Sequence, residues 1–146
     1  MDYRRFGNTV YARFDRGEEL TEQLQKLAEA ESIRLGHVRA LGATDDFTVG
    51  VYDVEERVYH PLTYTGAHEI VSLTGTVTTM DGKYYSHLHM SAANAAGQVV
   101  GGHLNTCRIS ATCELVLEIT DGTVERKRDP ESGLNFFDFE KKAIAE

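Results

Sequence analysis

Two hydrophobic periods run along the chain, and the change from one to the other marks its elements. In "DRGEELTEQLQKLAEAES" the apolar residues Leu20, Leu24, Leu27 and Ala28 recur at helical spacing, and Glu18 and Glu19 stand early, where the helix dipole favours negative charge. The pattern predicts one amphipathic helix of about four turns. Elsewhere the period is two, as on half-buried strands. "TVYARF" alternates weakly before the helix, and "LGHVRALGATDDFTVGVYDV" after it reads as two strands broken at Gly42 and Asp45-Asp46. "RVYHPLTY", "AHEIVSLTGTVTT", "YYSHLHMSAAN", "QVVGGHLN" and "CRISATCELVLEI" follow as further strands. The connections are too short to hide crossover helices. The predicted fold class is therefore α+β, a mainly antiparallel sheet of about seven or eight strands with one principal flanking helix.

The C-terminal stretch "ERKRDPESGLNFFDFEKKAIAE" is polar but carries Phe136, Phe137 and Phe139, which are expected to dock; the run Arg126-Lys127-Arg128 reads as a solvated strand end. With 146 residues the chain has the size of one domain, and no repeat, low-complexity segment or linker divides it. Residues 1–146 are read as a single unit, with 121–146 as a C-terminal strand and tail. A hydrophobic share of 41% and a charged share of 26% are those of a globular protein, and no apolar run approaches the ~20 residues of a membrane span. The N-terminus carries charges where a signal peptide has its apolar region, so the expected location is cytoplasmic. Cys107 and Cys113 are read as buried, reduced thiols. A net charge of −8 opposes unaided binding to nucleic acid or an anionic membrane.

The chemistry concentrates in "SHLHMS" and "GGHL". On a strand His87 and His89 share one face, about 6.7 Å apart at the usual rise. Between this segment and "QVVGGHLN" sit Ala95, Ala96 and Gly97, a three-residue hairpin loop with Gly at the position that needs a left-handed residue. That turn sets Asn94 opposite Gln98 and therefore His89 opposite His103. All three histidines then converge on one patch of sheet. Three neutral imidazoles with an open position are a catalytic-type ligand set, suited to Zn²⁺ or another divalent transition metal such as Ni²⁺ or Fe²⁺. A bulge at Gly101-Gly102 would disturb the register. His37, His60 and His68 stand alone in their strands and read as ordinary sheet residues. Glu69 is expected to share an apolar face with Val71 and Leu73. There it needs a partner such as Arg39 or a neighbouring subunit, or it serves as a fourth ligand or catalytic acid/base beside the metal.

The order "RGEELTEQLQKLAE", "LGHVRALGATDDFTVGVYD", "GAHEIVSLTGTV", "SHLHMS", "GQVVGGHL" and "ATCELVLEI" resembles the PPC domain family, named for its occurrence in plants and prokaryotes, over about residues 8 to 120. The "GGHL" signature and the Gly-x-x-Glu-Ile-x-Ser-Leu-x-Gly stretch from Gly66 to Gly75 carry the likeness most. The resemblance implies a homotrimer and, in bacterial and archaeal members, a metal-binding histidine cluster; carried over, these are His87, His89 and His103. Plant members join the domain to an AT-hook with an Arg-Gly-Arg-Pro core, which these residues lack, so direct DNA binding is expected to be weak or absent. Gly66 to Ile70 resembles the plant segment that recruits protein partners, but His68 replaces its aromatic residue. The fold is also similar to that of acetolactate decarboxylases. Two functions follow: a trimeric, metal-containing regulatory or interaction module, or a metal-dependent enzyme acting on a small carbonyl or carboxylate compound.

Overall fold

The computed structural model describes residues 1–140; the last six residues of the expected tail lie outside the described residues. Eight strands and one helix follow the order β1 (Asp2–Phe6), β2 (Thr9–Asp15), α1 (Leu20–Ala30), β3 (Gly36–Asp53), β4 (Val58–Met80), β5 (Lys83–Asn94), β6 (Val99–Ile119), β7 (Glu125–Arg128) and β8 (Asn135–Asp138). Every pairing between them is antiparallel. The main sheet has six strands in the order β1-β2-β6-β3-β4-β5, and β7 with β8 makes a separate two-stranded sheet.

β5 pairs with β6 as well as with β4, so β3, β4, β5 and β6 close a ring. Closure covers the edge that β5 would otherwise present from His89 to Ala93. β2 and β1 extend outward from the C-terminal half of β6. Three strands expected to be broken are continuous: β3 has 18 residues, β4 has 23 and β6 has 21. The signals read as breaks are irregularities inside them, between Ala40 and Gly42 and between Thr44 and Asp46. A bulge bends a strand without ending it. Pro61 is tolerated inside β4 because the pairing of β4 with β5 begins only at His68, leaving an unpaired edge at the proline.

The helix buries the expected stripe, Leu20, Leu24, Leu27 and Ala28, against β6 and β5. With 11 residues it is three turns long, one fewer than expected, because Glu19 caps it instead of joining it. The Glu19 carboxylate accepts from the Glu22 backbone N–H at 2.8 Å and from that of Cys107 on β6 at 2.7 Å, so one side chain both starts the helix and ties it to the sheet. The buried apolar residues form one cluster, with Phe14, Phe47, Leu73 and Leu115 among its largest members. Cys107 and Cys113 lie in it unpaired, and burial pushes their thiols up to about 11 and about 12. They are inert at neutral pH. Among the described residues no helix is long and apolar enough to cross a membrane.

Candidate metal centre

The site begins at the turn between β5 and β6. Asn94 donates its backbone N–H to the Gln98 carbonyl at 3.0 Å, and its side-chain oxygen accepts from the N–H groups of Ala96 and Gln98 at 3.0 and 3.1 Å. Gly97 closes the loop at φ 74°, a conformation that disfavours a side chain. From this turn the register runs unbroken, Ala93 opposite Val99 through His89 opposite His103. The glycines before His103 make no bulge against β5. They serve close packing instead: a Cβ on Gly102 would stand 2.5 Å from the Gly50 carbonyl oxygen.

Leu88, Met90 and Ala92 of β5 face the core, so His87 and His89 face outward. His103 joins them from β6, between its neighbours Gly50 on β3 and His89 on β5. The ring centroids lie 5.1 Å apart for His87 and His89, 5.1 Å for His87 and His103, and 5.6 Å for His89 and His103. One nitrogen from each ring lies within 4.8 Å of the others. Two nitrogens on one ion at about 2.1 Å each are at most about 4.2 Å apart, so small ring rotations gather the set. The residues fit a divalent transition metal.

The local electrostatics favour the neutral form of His87 and His103. Burial pushes His87 down to about 4, with the neighbouring His103, His89 and Arg126 adding to the shift. Water on the open side of the ring moderates that penalty. Burial, then His89, lowers His103 as well. The carbonyl of His103 accepts from the Tyr59 hydroxyl at 3.1 Å, and the two rings meet edge to face at 5.9 Å, which fixes the strand where its imidazole is needed.

A cavity of about 720 Å³ opens over the histidines, walled by Tyr52, Tyr59, Tyr85, Leu134, Asn135 and Phe136. Its far wall is the loop and strand of the C-terminal hairpin. Tyr52 donates to the Ser132 carbonyl at 2.8 Å, and the Asn135 amide donates to the Tyr85 hydroxyl at 3.2 Å. Arg126 holds that wall from behind. It is 4% exposed, and its guanidinium donates to Thr78 at 2.9 Å, to the Asn135 carbonyl at 2.9 Å and to Thr76 at 3.3 Å. It also stacks on Tyr85 at 4.6 Å and on Phe137 at 4.5 Å.

The reading of Arg126 as part of a solvated strand end is therefore corrected. Residues 126 and 128 share one face of β7, and Phe137 on β8 stands directly opposite Arg126. The run of three cations hid this; the alternation of the strand and the aromatic pair Phe136-Phe137 were the signal available. Phe139, expected to dock, is 80% exposed, touching Phe137 at 5.9 Å between ring centroids.

Glu69 lies elsewhere than expected. A bulge between Ile70 and Ser72 leaves Val71 out of the ladder, so Ile70 and Leu73 are buried while Glu69 and Val71 are exposed. Arg39 pairs with Glu118 instead. Glu69 stands opposite Ala93, four residues along β5 from His89, which is about 13 Å at the usual rise, and it does not line the cavity. His37 bonds Thr74 at 3.2 Å, and His68 bonds the Gly66 carbonyl at 2.8 Å and meets Phe47 edge to face at 5.1 Å. His60 is not alone: it comes together with Asp53 and Glu56 in a second, exposed group of potential ligand atoms. Asp53 is already engaged there, capping the turn at the Glu56 N–H at 2.9 Å.

Comparison with known proteins agrees with the resemblance. The bifunctional protein GlmU of a Synechococcus strain is 32% identical over 126 residues, covering 80% of this chain but 18% of its own length. The chain thus spans about a fifth of the length of the curated relatives it matches. A candidate DNA-binding protein from Bacteroides thetaiotaomicron has the same fold at a TM-score of 0.94 and 26% identity, over 96% of this chain and 98% of the other. A metal-containing protein from Archaeoglobus fulgidus superposes at a TM-score of 0.83 with 30% identity, over 94% and 98%. An acetolactate decarboxylase from Bacillus subtilis shares the fold alone, at a TM-score of 0.55 and 14% identity over 80% of this chain and 54% of its own. Residues 1–121 match the Plants and Prokaryotes Conserved domain, and the chain belongs to that family.

Proposed function

We propose that this protein is a homotrimeric, cytoplasmic PPC-domain module that holds a divalent transition metal, Zn²⁺ in the first instance, on His87, His89 and His103. Its role is regulation or interaction, reaching DNA through partners and not by its own contacts. The observation that carries the reading is the hairpin register that puts His89 opposite His103 with His87 beside them. The metal-containing relative from Archaeoglobus fulgidus supports the metal, and the candidate DNA-binding relative supports the regulatory setting. The ion would supply Lewis acidity and a coordinated water of lowered pKa. The chain's own part is to gather three imidazoles, to favour the neutral form of His87 and His103, and to shield the ion under the Tyr52 and Tyr85 wall.

A second reading, a metal-dependent enzyme on a small carbonyl or carboxylate compound, draws support from the cavity of about 720 Å³ beside the histidines. Glu69, its candidate acid/base group, stands too far from the cavity to take part without movement. No GlmU activity is carried over, since that protein is far longer.

Elemental analysis of protein purified without chelator and then offered Zn²⁺ tests the metal. About one ion per chain is expected, lost in His89→Ala and kept in His60→Ala. Retention in His89→Ala with loss in His60→Ala would move the ion to the Asp53, Glu56 and His60 group. No bound metal in the unaltered protein would end both readings.

A further inference from the structure

An ion on the three histidines, as read above, leaves the cavity with an unbalanced charge. Neutral imidazoles do not offset the two positive charges of a divalent ion, and among the described residues no Asp or Glu lines the cavity. The wall adds to the imbalance. Arg126, 4% exposed behind Tyr85 and Asn135, is met by the hydroxyls of Thr76 and Thr78, the Asn135 carbonyl and two aromatic rings, all neutral groups. Among the described residues no carboxylate forms an ion pair with it. A second guanidinium stands at the rim: a Cβ on Gly133 would meet Arg128 Nη2 at 3.6 Å. The net charge of −8 belongs mostly to the outer surface, where salt screens it over about 8 Å. Inside the cavity the nearby cations dominate.

The remaining lining decides what kind of anion is favoured. Tyr52, Tyr85, Leu134 and Phe136 present rings and hydrocarbon, which repel a heavily hydrated phosphate dianion but suit an apolar body. Asn135 lines the same wall and holds Tyr85 in place through its amide. We infer that the cavity binds a small carboxylate with an apolar or aromatic body, its charged group toward the histidines and its body against Tyr85 and Phe136. The residues that set this preference, Arg126, Asn135 and Phe136, lie beyond the 1–121 stretch that matches the family, so the C-terminal hairpin selects the ligand. Arg126 acts as a positioning residue, through charge and through the wall it holds.

The test uses Co²⁺-loaded protein, whose visible absorption reports the ion and its ligands, with calorimetry for affinity. The probes are benzoate, its neutral isostere benzamide, acetate as the carboxylate without the ring, and inorganic phosphate. Benzoate is expected to shift the Co²⁺ spectrum and to bind at least about tenfold more tightly than benzamide or phosphate. Arg126→Met is expected to weaken benzoate about three- to tenfold more than it weakens benzamide; a loosened wall without a role for the charge would weaken both alike. Phe136 is 47% exposed, so Phe136→Ala keeps the fold, and it is expected to lower benzoate affinity while leaving acetate affinity as it was. Co²⁺ that binds normally while benzoate and benzamide bind alike, or phosphate that binds more tightly than benzoate, overturns the inference and leaves the metal reading standing. Equal losses for both probes in Arg126→Met overturn the role of the hairpin charge. Failure of Co²⁺ to bind defeats the metal reading and the inference together.

Discussion

At Gly102, the neighbour of His103, one added methyl group would disturb the histidine cluster. An added Cβ would stand 2.5 Å from the Gly50 carbonyl oxygen and 3.1 Å from the Gly50 nitrogen, and backbone on a paired strand has little room to yield. Gly102→Ala should therefore push β3 from β6 beside His103, destabilising the fold by about 1–3 kcal/mol and loosening the metal. Denaturant midpoints together with metal titration measure both effects; unchanged values would show that the two strands tolerate separation there. The imidazoles carry a pH prediction of definite sign. His87 is pushed down to about 4 in the folded state, against about 6.5 when unfolded, so between those values the unfolded chain binds more protons. Metal-free protein should lose stability as pH falls through that window, with the contribution flat above and below it. His87→Ala should flatten this part of the profile. Metal occupancy should follow the same direction, falling as pH drops, because protons compete with the ion for the imidazole nitrogens.

At the scale of elements, the parts legible in the sequence were those with short-range causes. The Leu20, Leu24 and Leu27 stripe announced the helix, and Ala95-Ala96-Gly97 fixed the turn from which the pairing of His89 with His103 follows. A local turn dictates register because side chains alternate strictly along both strands. Long-range features were not legible. Gly42 and Asp45-Asp46 looked like strand ends, since nothing local distinguishes a break from a bulge whose partners lie about sixty or more residues away, at Ile109 and Cys113. Glu69 was misplaced for the same reason: a single residue left out at Val71 exchanges the two faces of β4, and no spacing in the sequence reveals it. Arg126 was missed because its hydroxyl partners and the Tyr85 ring come from β4 and β5, some forty to fifty residues earlier. The histidine triad was thus readable, while the wall that faces it was assembled by tertiary structure.

At the scale of the whole molecule, the open question is what meets the surface. Val51, Leu62, Val71 and Val99 are 64%, 58%, 55% and 58% exposed, an amount of uncovered aliphatic surface that association with further copies would remove from water. For the proposed trimer, light scattering at micromolar concentration should report about three chains, and a stable monomer would end that claim. DNA is a different matter. A duplex binder gains most of its affinity by releasing counterions with Lys and Arg, and this chain has 15 of those against 23 Asp and Glu. Assembly into a trimer multiplies the excess instead of relieving it. Nor do these residues include an Arg-Gly-Arg-Pro core to enter a minor groove. A mobility-shift titration at about 150 mM salt should therefore show no saturable complex, and whatever appears at low salt should vanish steeply as salt is raised. Tight, saturable binding at that salt would mean that a local basic surface outweighs the global charge, and the proposal of partner-mediated contact with DNA would have to give way to a direct one.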